Sequence, residues 1–214
     1  MKPVNKNLLY IFLALWLLVA AILSGLTEDV VNADPIVNFD KYWSAIFITW
    51  HSGLGTAIFS GITLLGNWQL VIPVIFLIVY FLYKKNKREY IIPLIFTVIS
   101  AEAITFLGKI LVHRSRPLGA TITELDFSFP SGHATIAVAF YGYLAYLYLR
   151  NNKAKRAVTI FGALIIILLI GFSRLYLGVH YISDVLAGYL VGLLALIAGI
   201  SLNEWLKSSQ ILKR

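Results

Sequence analysis

Long apolar runs separated by short charged segments make up most of the chain. An α-helix needs about 20 residues to cross the hydrocarbon core of a bilayer. Six runs approach this length, at residues 8–26, 68–83, 90–112, 133–149, 157–175 and 181–205. The pattern predicts an all-α polytopic membrane protein built as a bundle of six transmembrane helices.

The first run covers 19 residues, 8–26. The apolar core of a secretory signal peptide has only about 7–15 residues. We therefore expect this run to be a retained transmembrane helix. A cleaved signal that ends near Ala20 and Ala21 is the alternative.

Between the first two predicted spans, apolar and aromatic side chains recur at steps of three and four. They are Phe39, Tyr42, Trp43, Ile46, Phe47 and Trp50. This spacing indicates one face of a helix. Its Trp and Tyr content favours a short interfacial helix on the outer face of the membrane, and packing against the bundle is an equal alternative. The following run, 54–65, can prefix the second span, and Gly66 and Asn67 can break the helix between them.

The composition excludes an ordinary soluble domain, because 59% of the 214 residues are hydrophobic and only 13% are charged. Six helices occupy most of this length, so we expect a single membrane-embedded domain over residues 1–214. There are no cysteines, which excludes disulfides, thiolate metal sites and a cysteine nucleophile.

The net charge of +8 predicts orientation rather than a nucleic-acid partner. With both termini placed in the cytoplasm, the inner segments hold 13 of the 18 Lys and Arg residues. The remaining five are Lys41, Lys109, Arg114, Arg116 and Arg174. Since the positive-inside rule puts the basic segments in the cytoplasm, we predict a multi-pass protein of the cell membrane whose polar clusters lie on the extracytoplasmic side.

The first polar cluster lies at the end of the third run. Lys109 and Arg116 are seven residues apart, so they share a face if the helix continues to Pro117. Glu102 lies seven residues earlier on that face. An ionised group in a transmembrane helix is costly without a partner, and we expect Lys109 to be the partner of Glu102.

The second cluster, Pro130-Ser131-Gly132-His133, opens the fourth run. Ser131 is a favoured N-cap residue, and Gly132 allows close approach to the backbone. Free N–H groups at a helix start can bind an anion, and His133 would stand beside it as a proton donor. An ordinary capped helix start is the alternative for this cluster taken alone.

The third cluster contains Ser173, Arg174, His180 and Asp184. His180 and Asp184 are four residues apart, so the carboxylate can orient the imidazole and leave one ring nitrogen free for nucleophilic attack. A metal half-site or a buried hydrogen bond would use the same spacing. Arg174 can join this pair only if the chain breaks at Gly178.

All three clusters, in order and without a departure, resemble the motifs of the type-2 phosphatidic acid phosphatase superfamily. The resemblance implies a six-helix lipid phosphatase in which His180 forms a phosphohistidine, Asp184 supports it and His133 handles the proton. It implies that the phosphoryl oxygens are held by Lys109, Arg116, Ser131, Gly132 and Arg174. Glu102 is a possible supporting residue.

This resemblance implies a metal-independent hydrolase with no cofactor, whose partners are the bilayer and a lipid phosphate or diphosphate; no obligate protein partner is implied. We expect undecaprenyl diphosphate as substrate, because it is released at the outer face, and phosphatidylglycerol phosphate as the alternative. A lipid phosphotransferase using the same phosphohistidine and a non-enzymatic lipid-binding protein stay open. A vanadate-dependent haloperoxidase shares the motifs, but those enzymes are soluble.

Overall fold

The computed structural model describes residues 6–33, 35–150 and 152–211, and within these ranges it contains helices and no strand. The main helices are α1 Lys6–Val31, α2 Pro35–Thr49, α3 Gly53–Thr63, α4 Trp68–Lys84, α5 Ile91–Val112, α6 Gly132–Ile136, α7 Gly142–Leu149, α8 Arg156–Tyr176 and α9 Ile182–Ile211. A π-helical turn, Ala137–Tyr141, joins α6 to α7. Lys2, Lys213 and Arg214, which contribute to the predicted charge asymmetry, lie outside the described residues.

Helix α9 lies at the centre of the bundle and packs against α1, α5 and α6. Small residues bring α6 close to it. A Cβ atom on Gly188 would stand 2.5 Å from the carbonyl oxygen of Ser131, and one on Gly192 would stand 2.5 Å from that of Thr135. Close backbone approach at small residues is typical of helix pairs in membranes. It fixes the Ser131–His133 segment against the start of α9.

The side chains divide into a packed interior and a large apolar exterior. Val71, Leu94, Ile136 and Phe140 form a buried cluster between α4, α5 and the α6–α7 helix. Many large apolar side chains on the outside are more than half exposed, among them Ile11, Phe76, Leu111 and Phe161. An apolar exterior of this extent is suited to contact with lipid rather than water.

Four helices of the described residues are long and apolar enough to cross a membrane: Leu9–Val31, Arg88–Val112, Arg156–Tyr176 and Ile182–Ser208. A fifth span arises if Gly53–Gly66 and Trp68–Lys84, which are bent by 42°, are counted together. The predicted count of six is therefore not confirmed. The predicted span at 133–149 is helical throughout, because α6, the π-helical turn and α7 follow one another without a gap, but it is not among these candidates.

The bend between α3 and α4 falls at Gly66 and Asn67, as the sequence predicts. The side-chain oxygen of Asn67 accepts a hydrogen bond from the backbone N–H of Gln69 at 3.0 Å and so caps α4. A Cβ atom on Gly66 would lie 3.2 Å from the carbonyl oxygen of His133. The bend is thereby held against the second polar cluster.

Helix α2 contains the aromatic stripe but has only two buried side chains, Asp40 and Phe47. The Phe47 ring packs edge-on against Phe172 of α8, with 6.0 Å between the ring centroids. This contact supports packing of the helix against the bundle. A position in the membrane interface stays a prediction.

Candidate active site

A cavity of about 330 Å³ opens among the α3–α4 bend, the start of α4, α5, α6, the end of α8 and the segments that precede α6 and α9. Seven of the nine predicted site residues line it: Glu102, Lys109, Arg116, Gly132, His133, Arg174 and His180. Ser131 and Asp184 are fully buried behind this wall. The three clusters, up to 82 residues apart in sequence from Glu102 to Asp184, therefore meet at one place.

The first cluster reaches the cavity by a different route from the predicted one. Helix α5 ends at Val112, because His113 adopts a left-handed conformation with φ of 50° and its N–H bonds to the carbonyl oxygen of Lys109 at 3.1 Å. The expectation of a helix continuing to Pro117 is wrong. Arg116 returns to the cavity on a non-helical segment. This conformation is expected, because Arg116 precedes Pro117 and a residue before proline disfavours the helical conformation.

Lys109 and Arg116 converge on a carboxylate that the sequence interpretation did not single out. The Lys109 Nζ atom lies 2.9 Å from Oδ2 of Asp126, and a guanidinium nitrogen of Arg116 donates to Oδ1. Burial alone would raise the pKa of Asp126, but the hydrogen bonds and charges of Lys109 and Arg116 prevail and lower it from 3.8 to about 2. Asp126 is therefore ionised at neutral pH.

Arg174 is paired in the same way. Its guanidinium is only 1% exposed, donates to Oε1 of Glu124 and donates to the Thr63 hydroxyl at 2.8 Å. The predicted break after α8 is present, because Gly178 has φ of 71° and a Cβ there would approach Ala120 at 3.2 Å. Glu124 and Asp126 thus place two carboxylates against the three cations of the cavity.

These two acidic residues could have been found in the sequence. Glu124 and Asp126 are the only acidic residues between the first and second clusters. Because that segment is short, it must lie near both clusters. Acidic residues in this segment are therefore expected to form ion pairs with the cations of the motifs.

Glu102 does not have the predicted partner. The ion pair of Lys109 is with Asp126, whereas Glu102 faces the Trp68 side chain and keeps only a longer-range charge interaction with Lys109. The bend between α3 and α4 brings Trp68 to this wall of the cavity. Oε1 of Glu102 has no partner among the described residues.

The second cluster begins α6 as predicted, but the serine hydroxyl does not cap it. The backbone N–H of Ser131 donates to the carbonyl oxygen of Asp184 at 3.0 Å, and its carbonyl accepts the N–H of Thr135. Its side-chain oxygen has no hydrogen-bonding partner in the part of the chain that the structure describes. The hydroxyl is consequently an unsatisfied polar group directly behind the cavity wall.

The orientation of His180 follows from its two neighbours. Nε2 lies 3.2 Å from a guanidinium nitrogen of Arg116. Since arginine only donates hydrogen bonds, Nε2 must be the unprotonated nitrogen and Nδ1 carries the proton. Nδ1 faces Oδ2 of Asp184 at 3.4 Å, longer than the roughly 2.7–3.2 Å of a formed hydrogen bond. Burial, with the charges of Arg174, Arg116 and Lys109, lowers the pKa of His180 and keeps the ring neutral.

Five buried polar atoms lack a hydrogen-bonding partner within the described residues: Glu102 Oε1, Ser131 Oγ, His133 Nε2, Arg174 Nε and His180 Nδ1. All five belong to predicted site residues. Buried polar groups are satisfied in most proteins, and each exception asks for an explanation. Their concentration around one cavity indicates a site for a polar ligand.

Two further residues stand behind the site. Arg114 donates to Oδ1 of Asp184 at 2.5 Å and to Oδ2 of Asp40 at 2.8 Å. The sequence interpretation used Arg114 only as an outer cation and did not select Asp40. No local spacing joins Asp40 to the motifs, since only the packing of α2 on α9 brings it there.

The fold and cavity together define a class of helical membrane protein with a polar cavity that holds two histidines among three cations. Residues 90–207 match the model of the PAP2 superfamily. The chain is 34% identical to phosphatidylglycerophosphatase B of Bacillus subtilis over 203 residues, which is 90% of each protein. It is 33% identical to undecaprenyl-diphosphatase BcrC of the same organism over 126 residues, 56% of this chain and 61% of the relative.

The structural comparison agrees. The crystal structure of a transmembrane PAP2-type phosphatidylglycerolphosphate phosphatase from Bacillus subtilis superposes with a TM-score of 0.82 at 25% identity. The match covers 86% of this chain and 94% of that one. The chain belongs to the PAP2 superfamily, and its activity is that of a membrane lipid phosphatase.

Proposed function

We propose that this protein hydrolyses the terminal phosphate of a lipid at the extracytoplasmic face of the cell membrane through a phosphohistidine on His180. One observation carries the proposal. The unprotonated Nε2 of His180 lies in a cavity that is also lined by Lys109, Arg116 and Arg174. A nucleophile with an available lone pair beside three cations suits attack on a phosphoryl group.

The reaction takes two displacements. Nε2 of His180 attacks phosphorus, the bond from phosphorus to the lipid oxygen breaks, and His133, which must enter this step as the imidazolium, gives a proton to the departing oxygen and becomes neutral. A water molecule then loses a proton to His133 and attacks the phosphohistidine. The phosphorus–nitrogen bond breaks, which releases phosphate and restores His180. Lys109, Arg116 and Arg174 neutralise the equatorial oxygens in both steps, and Ser131 Oγ and Gly132 N–H can donate to them.

The cationic side chains supply the charge neutralisation that divalent metal ions supply in other phosphoryl-transfer enzymes. We therefore expect hydrolysis to continue in the presence of EDTA.

Undecaprenyl diphosphate is our first candidate substrate, because it is released at the outer face. In addition, the segment between the first two clusters is short and leaves little room for a cap over the site. Phosphatidylglycerol phosphate is the second, supported by the similarity to phosphatidylglycerophosphatase B over 90% of both chains. Both lipids offer a terminal phosphate to the cavity while the tail stays in the membrane.

The test is phosphate release by purified protein in detergent with EDTA, comparing undecaprenyl diphosphate, phosphatidylglycerol phosphate and phosphatidic acid. We expect release that His180→Ala abolishes. The matched control is His113→Asn: His113 is exposed, does not line the cavity and has a left-handed backbone that asparagine tolerates. Loss of activity in both variants, or release by His180→Ala, would contradict the phosphohistidine. A phosphorylated acceptor in place of free phosphate would indicate a phosphotransferase.

A further inference from the structure

Asp40 is a buried carboxylate on α2, far in sequence from the three motifs. Its side chain is 1% exposed. Oδ1 accepts the backbone N–H of Ser183 at 3.0 Å, and Oδ2 accepts the Arg114 guanidinium at 2.8 Å and the Ser183 hydroxyl. A buried charge is costly unless it is fully paired. Every oxygen of this carboxylate has a partner at the start of α9 or on Arg114.

Arg114 links this carboxylate to the one beside the nucleophile. One guanidinium nitrogen donates to Asp40, and the other donates to Oδ1 of Asp184 at 2.5 Å and to the Ser183 hydroxyl at 2.7 Å. The guanidinium also lies over the Tyr181 ring, 4.3 Å from its centroid. The planar fork of arginine therefore fixes both carboxylates in one arrangement, which a lysine could reproduce only in part.

Asp184 is held at both oxygens as a result. Oδ1 accepts from Arg114, while Oδ2 accepts the backbone N–H of Tyr181 at 2.9 Å and faces Nδ1 of His180. Rotation of this carboxylate would break the bond to Arg114. The direction in which Asp184 meets the imidazole is thus set by a residue that does not touch the cavity.

We propose that Asp40 and Arg114 are positioning residues that hold Asp184 in the orientation required by the His180 nucleophile. The inference rests on the proposed function of His180. Two carboxylates and one guanidinium carry a net charge of −1. When Nε2 bonds to phosphorus while Nδ1 keeps its proton, the imidazole becomes cationic, and this remaining negative charge stabilises it. Arg114 without Asp40 would cancel the charge of Asp184.

The proposal predicts a change in turnover without a change in substrate binding. Neither Asp40 nor Arg114 lines the cavity, so KM should stay within about twofold of wild type. Loss of a residue that orients a metal ligand typically costs 10- to 100-fold in activity, and we take the same range for residues that orient Asp184. We expect kcat to fall about 10- to 100-fold in Arg114→Met and about tenfold in Asp40→Asn, with partial recovery in Arg114→Lys.

The experiment measures kcat and KM for phosphate release by full-length wild type, these three variants, His180→Ala and a control. Arg150→Met is the matched control, because it removes a salt bridge to Glu204 that lies away from the cavity. Thermal unfolding in detergent, recorded on the same samples, identifies any variant that is not folded. A purely structural role for Arg114 would lower the unfolding temperature and the active fraction but would give no selective recovery of kcat by lysine.

A second measurement needs no lipid substrate. Phosphoramidate can phosphorylate a histidine directly: Nε2 attacks phosphorus, the phosphorus–nitrogen bond of the reagent breaks and ammonia leaves. The rate of phosphohistidine formation, measured by mass spectrometry in the His133→Ala background to slow hydrolysis, should fall in the Arg114→Met and Asp40→Asn variants by the same factor as kcat.

The two proposals fail in different ways. If wild type hydrolyses none of the lipids, the proposed function fails, and the phosphoramidate rates still decide the positioning role. If wild type is active and His180→Ala inactive while folded Arg114→Met and Asp40→Asn keep kcat and the phosphorylation rate within twofold of wild type, the positioning role is refuted. A rise in KM at constant kcat would also refute it.

Discussion

Asp126 occupies the cations that the proposed mechanism assigns to the substrate phosphate, so its removal should tighten substrate binding. The change Asp126→Asn removes the charge and keeps the size of the side chain. It also keeps the backbone contact, because the carbonyl oxygen of residue 126 accepts a hydrogen bond from Nε of Arg116 at 2.8 Å. Lys109 and Arg116 should therefore stay in place and lose only a competing carboxylate.

The size of the effect follows from the charge interactions. The lowering of the pKa of Asp126 from 3.8 to about 2 corresponds to about 2.5 kcal/mol of stabilisation of the carboxylate before solvent screening. The Asp126 side chain is 54% exposed, and exposed ion pairs retain at most about 1 kcal/mol. A substrate that must displace this carboxylate loses the same amount, which corresponds to about a fivefold higher KM.

The assay is a comparison of KM, kcat and the inhibition constant of inorganic phosphate in wild type and Asp126→Asn, with lipid substrate in mixed micelles. We expect KM and the inhibition constant both to fall about fivefold at unchanged kcat. Asp29→Asn, on an exposed position of α1 outside the cavity, is the control for loss of a negative charge. A higher KM or a lower kcat in Asp126→Asn would refute the reasoning, because Asp126 would then be needed to position Lys109 and Arg116.

Three further outcomes are expected. His133→Ala incubated with phosphoramidate, whose ammonia leaving group needs no proton from His133, should accumulate phosphohistidine on His180, detected by mass spectrometry, because water then lacks its base; no accumulation would argue against that role. Gly188→Ala should lower the free energy of unfolding in detergent by about 1–3 kcal/mol, because its Cβ would stand 2.5 Å from a carbonyl oxygen of α6. Gly162→Ala, with nothing within 4 Å of the added Cβ, should be neutral or stabilising, and equal losses would show that packing is not the cause. The pKa of Asp126 is lowered, so its stabilisation is present above pH 3.8 and lost as the pH falls towards 2. The difference in unfolding temperature between wild type and Asp126→Asn should then stay constant between about pH 8 and pH 5.

Much of the site could be predicted from local spacing. The four-residue separation of His180 and Asp184, the break at Gly178 and the start of a helix at Ser131 are properties of short segments, and the structure contains each of them. Burying cations in an apolar chain costs free energy, so the positions of these cations indicated the same cluster of residues. These signals need no knowledge of which helices pack together.

The errors arise where non-local packing decides. The partner of Lys109 is Asp126 rather than Glu102 because α5 ends at Val112 and the next segment folds back over the cavity. Asp40 reaches the site only through the packing of α2 against α9. The count of six spans relied on hydropathy alone and stays a prediction, since four or five candidate spans are found among the described residues.

If the cations of the cavity bind phosphate as proposed, the two carboxylates that line it turn this binding into an exchange of anions. Glu124 and Asp126 give the cations a counter-charge when no ligand is bound, so an incoming anion must displace one that is already attached to the chain. A lipid anchored in the same membrane attempts this displacement at a high effective concentration. A phosphate ion released by hydrolysis has no such anchor, and the carboxylates return to the cations in its place. The segment that opposes entry of the head group therefore hastens departure of the product.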